Sequence, residues 1–119
     1  MEGAIVIRPG EGEMLERAGA GSHRVLAELA EFEAIELSFE PGWEGVAPHT
    51  HDDHVDSFYV LEGEVEFAVG EQTVHGGPGT YVAVPQGVVH GFGNAGAGRI
   101  RVLNVHAPRV GFIDRLRDG

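Results

Sequence analysis

Glycine and proline punctuate this chain so often that most of it can form only short elements. The 19 Gly and 6 Pro are spread along the 119 residues rather than pooled in a linker. Between them lie apolar runs of strand length, which is how a chain of many short β-strands reads. Ala4–Arg8 is predicted as a strand closed by Pro9-Gly10, and residues 11–23 as a polar loop. In the stretch from Arg24 to Phe39, helix-favouring Ala, Leu and Glu compete with a period-two pattern at Ile35, Leu37 and Phe39. The alternation predicts two strands, about 24–31 and 33–39, stopped by Pro41-Gly42. Further along, 57–61 and 65–69 form a hairpin across Glu62-Gly63-Glu64. Strands at 72–75, 80–84, 88–92 and 99–106 come next, and 112–117 is a short helix or an extended tail. With no βαβ rhythm, the chain is predicted to be all-β, a sandwich or barrel in a single domain.

Charge narrows the partners. Eight Arg, no Lys and 19 acidic residues leave a net charge of −11. Such a surface repels a phosphate backbone and an anionic bilayer, so no nucleic acid and no membrane partner is expected. Without Cys, thiolate metal sites and a Cys nucleophile are excluded, and without Lys so is Schiff-base chemistry. No apolar run reaches the length of a membrane span, and no signal peptide is legible after Met1-Glu2, so a cytoplasmic protein is expected.

Histidine carries the chemistry. Three of seven His crowd into Pro48-His49-Thr50-His51-Asp52-Asp53-His54-Val55-Asp56. On an extended chain His49 and His51 point the same way, and two imidazoles on one face can grip one metal ion. A polar loop would also tolerate them. His90, however, sits inside the apolar run Val88-Val89-His90-Gly91-Phe92, on the face of Val88 and Phe92, where an unpartnered imidazole is costly. Together these residues favour a metal site built on strands.

The same residues resemble the cupins. Their first motif is matched by His49-x-His51, four residues, Asp56, six residues and Gly63. Asp56 stands where the family carries Glu, and six residues rather than five separate Gly42 from His49. Gly79, Pro85, Gly87, His90 and Asn94 match the second motif at every spacing, so the motif core spans 42–94. The resemblance implies a double-stranded β-helix, a small jelly-roll cupin barrel over residues 1–119. It also implies a divalent transition metal (Fe, Mn, Ni, Cu or Zn) held by His49, His51, Asp56 and His90. Should the shorter Asp56 fall short, a three-His site is the alternative. The family pattern gives His54 no role.

The remaining residues have plainer expected roles. Gly63, Gly79 and Gly87 serve turns, Asn94 braces a loop, and His23 and His75 lie at the surface. Ile100, Val102, Asn104 and His106 share one side of their strand. Asn104 and His106 are either contacts near the metal or, as the more ordinary reading, strand-end surface. Phe58, Val60, Phe67 and Phe92 are in phase with the ligands and form pocket walls. His54, His106 and Tyr59 are the available proton carriers, with Tyr59 out of phase with the ligand face. The expected function is a metal-dependent enzyme of dioxygenase type acting on a small organic molecule. The alternatives are a metal-dependent isomerase or lyase, or a non-catalytic ligand-binding or sensor module. A homodimer is expected, because a short jelly roll has edge strands that need cover, with Leu103 and Val105 facing outward.

Overall fold

The computed structural model describes residues 3–17 and 21–118. Ten strands and one helix run in order: β1 Met14–Arg17, β2 Gly21–Glu28, β3 Glu33–Phe39, β4 Val46–His49, β5 Val55–Glu62, β6 Val65–Val69, β7 Gln72–Gly76, β8 Tyr81–Val84, β9 His90–Asn94, β10 Ile100–Ala107 and α1 Phe112–Arg117. They make two antiparallel sheets, a six-stranded β1-β2-β3-β10-β5-β8 and a four-stranded β4-β9-β6-β7. This is the double-stranded β-helix architecture, with two separate hydrogen-bonded sheets in place of one closed ladder.

The period-two segments form strands as expected, because each has one side to bury. β10 alternates buried and half-buried residues along its whole length, with Ile100, Val102, Asn104 and His106 inside. β3 buries Ile35, Leu37 and Phe39, and β5 buries Asp56, Phe58 and Val60. Phe67, Val65 and Phe92 close the core from the smaller sheet. Burial of these side chains is the main favourable term, roughly 1.5–3 kcal/mol for each fully buried large aliphatic or Phe. Gly63 makes the β5–β6 turn at φ 84°, and a Cβ there would lie 2.5 Å from the Arg99 carbonyl. No other residue type fits that turn without displacing β10.

The N-terminal expectations need correction. Residues 4–8 are not a strand: Ile5, Val6 and Ile7 lie exposed, outside either sheet. The first strand is Met14–Arg17, inside the stretch read as loop, and it pairs Met14 with Arg24 and Arg17 with Gly21. Apolar composition is not enough for a strand without a partner edge, and β1 finds that edge on β2 although its own residues are mostly exposed. The terminal segment is helical. Ile113 is fully buried and anchors α1, while Arg117 reaches Glu13, just before β1, and Glu28 of β2.

Two strand registers bring the polar residues of the interior together. In the smaller sheet His49 of β4 lies directly opposite His90 of β9. In the larger sheet His106 of β10 lies between Glu33 of β3 and Asp56 of β5. Three polar residues from segments far apart in sequence thus stand in one row, facing the inside.

Candidate metal centre

Between the sheets, His49, His51, Asp56 and His90 each present one ligand atom, all within 4.8 Å of one another. His49 and His90 come from paired strands, and their ring centroids are 4.5 Å apart. His51 lies just after β4 in a loop pinned by the Gly87 N–H, which donates to the His51 carbonyl at 2.7 Å. That bond ties the second motif to the first. The His51 ring lies 4.6 Å from His49 and 5.2 Å from His90, so the three imidazoles form a triangle. Asp56 reaches in from the opposite sheet, with Oδ2 at 3.1 Å from His90 Nε2 and 3.8 Å from His51 Nε2. The shorter acid therefore spans the distance: the β5 backbone brings it close enough.

The residues behind this cluster fit a metal. The Nδ1 atoms of His49 and His90 lie 2.8 and 2.9 Å from the carbonyls of Ala47 and Val88. With Nδ1–H donating backward, each ring turns Nε2 and its lone pair toward the centre. Asp56 is held by Asn104, whose Nδ2 donates to Oδ1 at 2.7 Å and to the Ser57 carbonyl at 2.9 Å. Burial holds the His51 imidazole below its usual pKa, and the neighbouring His54 and His49 add to this against the pull of Asp56. A neutral imidazole is the form that binds metal. The donor set, three nitrogens and one carboxylate, suits Fe, Mn, Ni, Cu or Zn better than Ca or Mg.

His49, His51 and Asp56 border a cavity of about 140 Å³, and His90 lies behind them. Phe58 and Phe92 line it as expected, whereas Val60 and Phe67 lie deeper in the core. The wall also includes Leu37, Phe39, Val46 and, from the C-terminal segment, Val110, Phe112 and Arg115. Four further polar residues face the cavity, and sequence reasoning misplaced three of them. His23 is buried, not at the surface, and meets Phe39 edge-on at 6.2 Å. It is the third residue of a strand that begins earlier than expected. Burial lowers its pKa. His106 and Asn104 are inside rather than at a strand-end surface, because α1 covers that end of β10 and packs Phe112 against His106 at 5.0 Å. His54 is buried as well. The other roles agree with expectation: His75 is exposed, Asn94 braces the 94–98 turn, and Tyr59 points outward.

Glu33 was not anticipated as a site residue. It is fully buried at the start of β3. Its carboxylate accepts the backbone N–H groups of Val110, Phe112 and Ile113 at 2.8, 3.3 and 3.2 Å, and it faces His106 Nδ1 at 3.5 Å. Burial pushes the Glu33 carboxyl up, but those N–H groups and His106 outweigh it and hold the pKa below the usual value. Burial lowers the His106 pKa in turn, against the pull of Asp56 and Glu33. Only the β3–β10–β5 register brings these residues together, and the spacing of 33, 56 and 106 in the chain gives no sign of it.

Comparison with known proteins agrees with this geometry. A family model for the cupin domain matches residues 35–106. Quercetin 2,3-dioxygenase of Bacillus subtilis is 31% identical over 96 residues, covering 76% of this chain and 28% of that protein. The chain thus spans little more than a quarter of that relative's length. The structure of KdgF from Halomonas sp. superposes with a TM-score of 0.80 at 20% identity, covering 90% of this chain and 97% of that one. An RmlC-like cupin from Shewanella frigidimarina gives a TM-score of 0.77 at 24% identity, with 92% and 96% covered. At such identities the two structures speak for the fold alone. With His49 and His90 paired in one sheet, Asp56 facing them from the other, and the family match spanning both motifs, the chain belongs to the cupin domain family.

Proposed function

We propose that His49, His51, Asp56 and His90 hold one divalent transition metal ion, and that the protein uses it for dioxygenase-type chemistry on a small organic molecule. The observation that carries this reading is the convergence of three imidazoles and one carboxylate within 4.8 Å of one another, beside a cavity that His49, His51 and Asp56 line. Four protein ligands leave open positions on an ion that favours five or six. When bound, such an ion polarises or activates what coordinates beside it. The chain's own residues do the rest. Asn104 fixes the Asp56 carboxylate, the Ala47 and Val88 carbonyls fix two imidazoles, and Phe58, Phe92 and Val46 keep the open side dry. Likeness to a quercetin 2,3-dioxygenase supports oxygen chemistry.

Cavity size limits the substrate. A volume of about 140 Å³ compares with the roughly 150 Å³ cavity that accepts benzene. A substrate of one ring or less fits, and one of several fused rings does not. His54 and His106 on the wall favour a second reading, metal-assisted isomerisation or elimination, in which an imidazole carries a proton. Oxygen uptake separates the two. Fe- or Cu-loaded protein is offered small phenols, thiols and diketones in an oxygen electrode. Substrate-dependent uptake supports the first reading. Turnover that is unchanged without oxygen overturns it in favour of the second, and absence of any turnover leaves a binding module.

The protein is further proposed to act in the cytoplasm as a homodimer; no helix among the described residues is long and apolar enough to cross a membrane. Leu103, Tyr59 and Tyr81 stand side by side across β10, β5 and β8 on the outer face, with Tyr59 41% and Tyr81 62% exposed. That apolar stripe beside the β8 edge supports pairing through the larger sheet. Light scattering at micromolar concentration is expected to give twice the 12.7 kDa chain mass, and Tyr81→Glu to give the monomer. A monomeric wild type contradicts the pairing.

A further inference from the structure

Asp56 belongs to a second cluster. His54, Asp56 and His106 each bring a ligand atom within 4.8 Å of the other two, and all three are buried, at 3%, 5% and 5% exposure. The two imidazoles stand edge to face with centroids 5.0 Å apart. His54 Nε2 is fully buried without a hydrogen-bond partner. A histidine kept only for packing is expected to pair that nitrogen.

The far nitrogens point the same way. His54 Nδ1 meets Asp53 Oδ1 at 2.7 Å, and His106 Nδ1 faces Glu33 Oε2 at 3.5 Å. A carboxylate behind an imidazole is how proteins orient a metal-binding histidine and raise its basicity. At His54 it fixes the tautomer so that Nε2 turns its lone pair inward, whereas His106 Nδ1 faces Glu33 without a hydrogen bond. His106 Nε2 lies 3.5 Å from Asp56 Oδ1, while the other carboxylate oxygen, Oδ2, faces His90 and His51. The two oxygens of Asp56 therefore serve two different groups of imidazoles.

We propose that His54, His106 and Asp56 form a second divalent-metal site, joined to the first through the Asp56 carboxylate. The proposal rests on Asp56 being a ligand of the first ion. Charge is compatible with it: Asp53, Asp56 and Glu33 place three carboxylates around the pair of ions. The nitrogen-rich donors again select a transition metal. The first site, with four donors, fills before the second, with three.

The test is equilibrium dialysis of the full chain against Zn(II) at pH 7.5, with metal counted by mass spectrometry. The wild type is expected to hold two equivalents per chain. His54→Ala and His106→Gln are each expected to keep the first and lose the second, with affinity for it reduced by more than about 100-fold. That exceeds the 10–100-fold typical of partners behind a ligand. Asp53 is 75% exposed, so Asp53→Asn leaves the fold intact. It is expected to weaken only the second equivalent, by about 10–100-fold. A wild type holding one equivalent overturns the proposal. So does a second equivalent that survives both His54→Ala and Asp53→Asn, since it is then adventitious. Retention of both equivalents in His49→Ala refutes the first site instead, so the two failures are distinguishable.

Discussion

Replacing Glu33 with Gln changes almost no volume and removes one charge from the interior. Glu33 is the sole side-chain acceptor for the backbone N–H groups of Val110, Phe112 and Ile113 among the described residues. Gly111, the residue before α1, offers no side-chain cap, so Glu33 caps the helix from another strand. Hydrogen bonds to a charged acceptor contribute about 1.5–3 kcal/mol and neutral ones about 0.5–1.5. Neutralising Glu33 thus removes roughly 1 kcal/mol per bond, and the Gln amide turns a donor toward one of the N–H groups. The expected loss is about 2–4 kcal/mol, or roughly 8–16 °C in Tm for a chain of this size. Urea and thermal unfolding of the metal-free protein measure it. The pH dependence supplies a check on mechanism. A carboxyl with a lowered folded pKa stabilises above its unfolded value, near 4.5, and that contribution is lost as pH falls through the folded value. The gap between wild type and Glu33→Gln should be constant from pH 8 to about 5 and close on further acidification. A gap below about 0.5 kcal/mol at pH 7, or one that does not narrow in acid, refutes the role assigned to Glu33.

The same geometry sets further expectations. Asp56→Asn and Asp56→Ala should lower affinity for the first metal equivalent alike, by more than the roughly 10–100-fold typical of partners behind a ligand, since Asp56 acts as a ligand through its charge; retention in Asn alone would make it only a hydrogen-bond partner. Metal content after dialysis at pH 5 should fall well below that at pH 7.5, because protons compete for the imidazoles; full retention contradicts a histidine site. In metal-free protein, His23, His51 and His106 all have pKa values lowered by burial from 6.5. The unfolded chain then binds more protons, so unfolding free energy should be steady above about pH 6.5 and decline as pH falls below it; a rise over that window contradicts the burial. Asn104→Leu should release the Asp56 carboxylate and weaken metal binding by about 10–100-fold; unchanged affinity, measured by competition with a chelator, contradicts the orienting role.

Much of the fold and of the candidate site was legible in the chain, and the limits have physical causes. Period-two burial in β3, β5 and β10 follows from alternation alone, and the Glu62-Gly63-Glu64 turn from glycine's access to positive φ. Motif spacing picked out the four residues that meet between the sheets. What alternation cannot supply is which strands become neighbours. His106 had a predicted face but not a predicted cover, because α1 lies over it only when Glu33 captures the N–H groups of 110–113. Glu33 read as the polar first residue of a strand. His54 lies in the four-residue gap of the first motif, at a position the family pattern leaves open, and its burial depends on the turn that links His51 to β5. At the N-terminus, Ile5, Val6 and Ile7 matched strand composition, yet β1 formed at the more polar Met14–Arg17, beside β2.

The central claim is that three imidazoles and one carboxylate hold a transition metal in this chain. X-ray absorption at the metal edge, on protein carrying one equivalent of Fe(II) or Mn(II), counts imidazole ligands directly. Wild type should show three imidazoles with additional oxygen, and His90→Ala should show two or fail to retain the ion. An imidazole count unchanged by His90→Ala, or a coordination sphere made of oxygen alone, would contradict this metal centre.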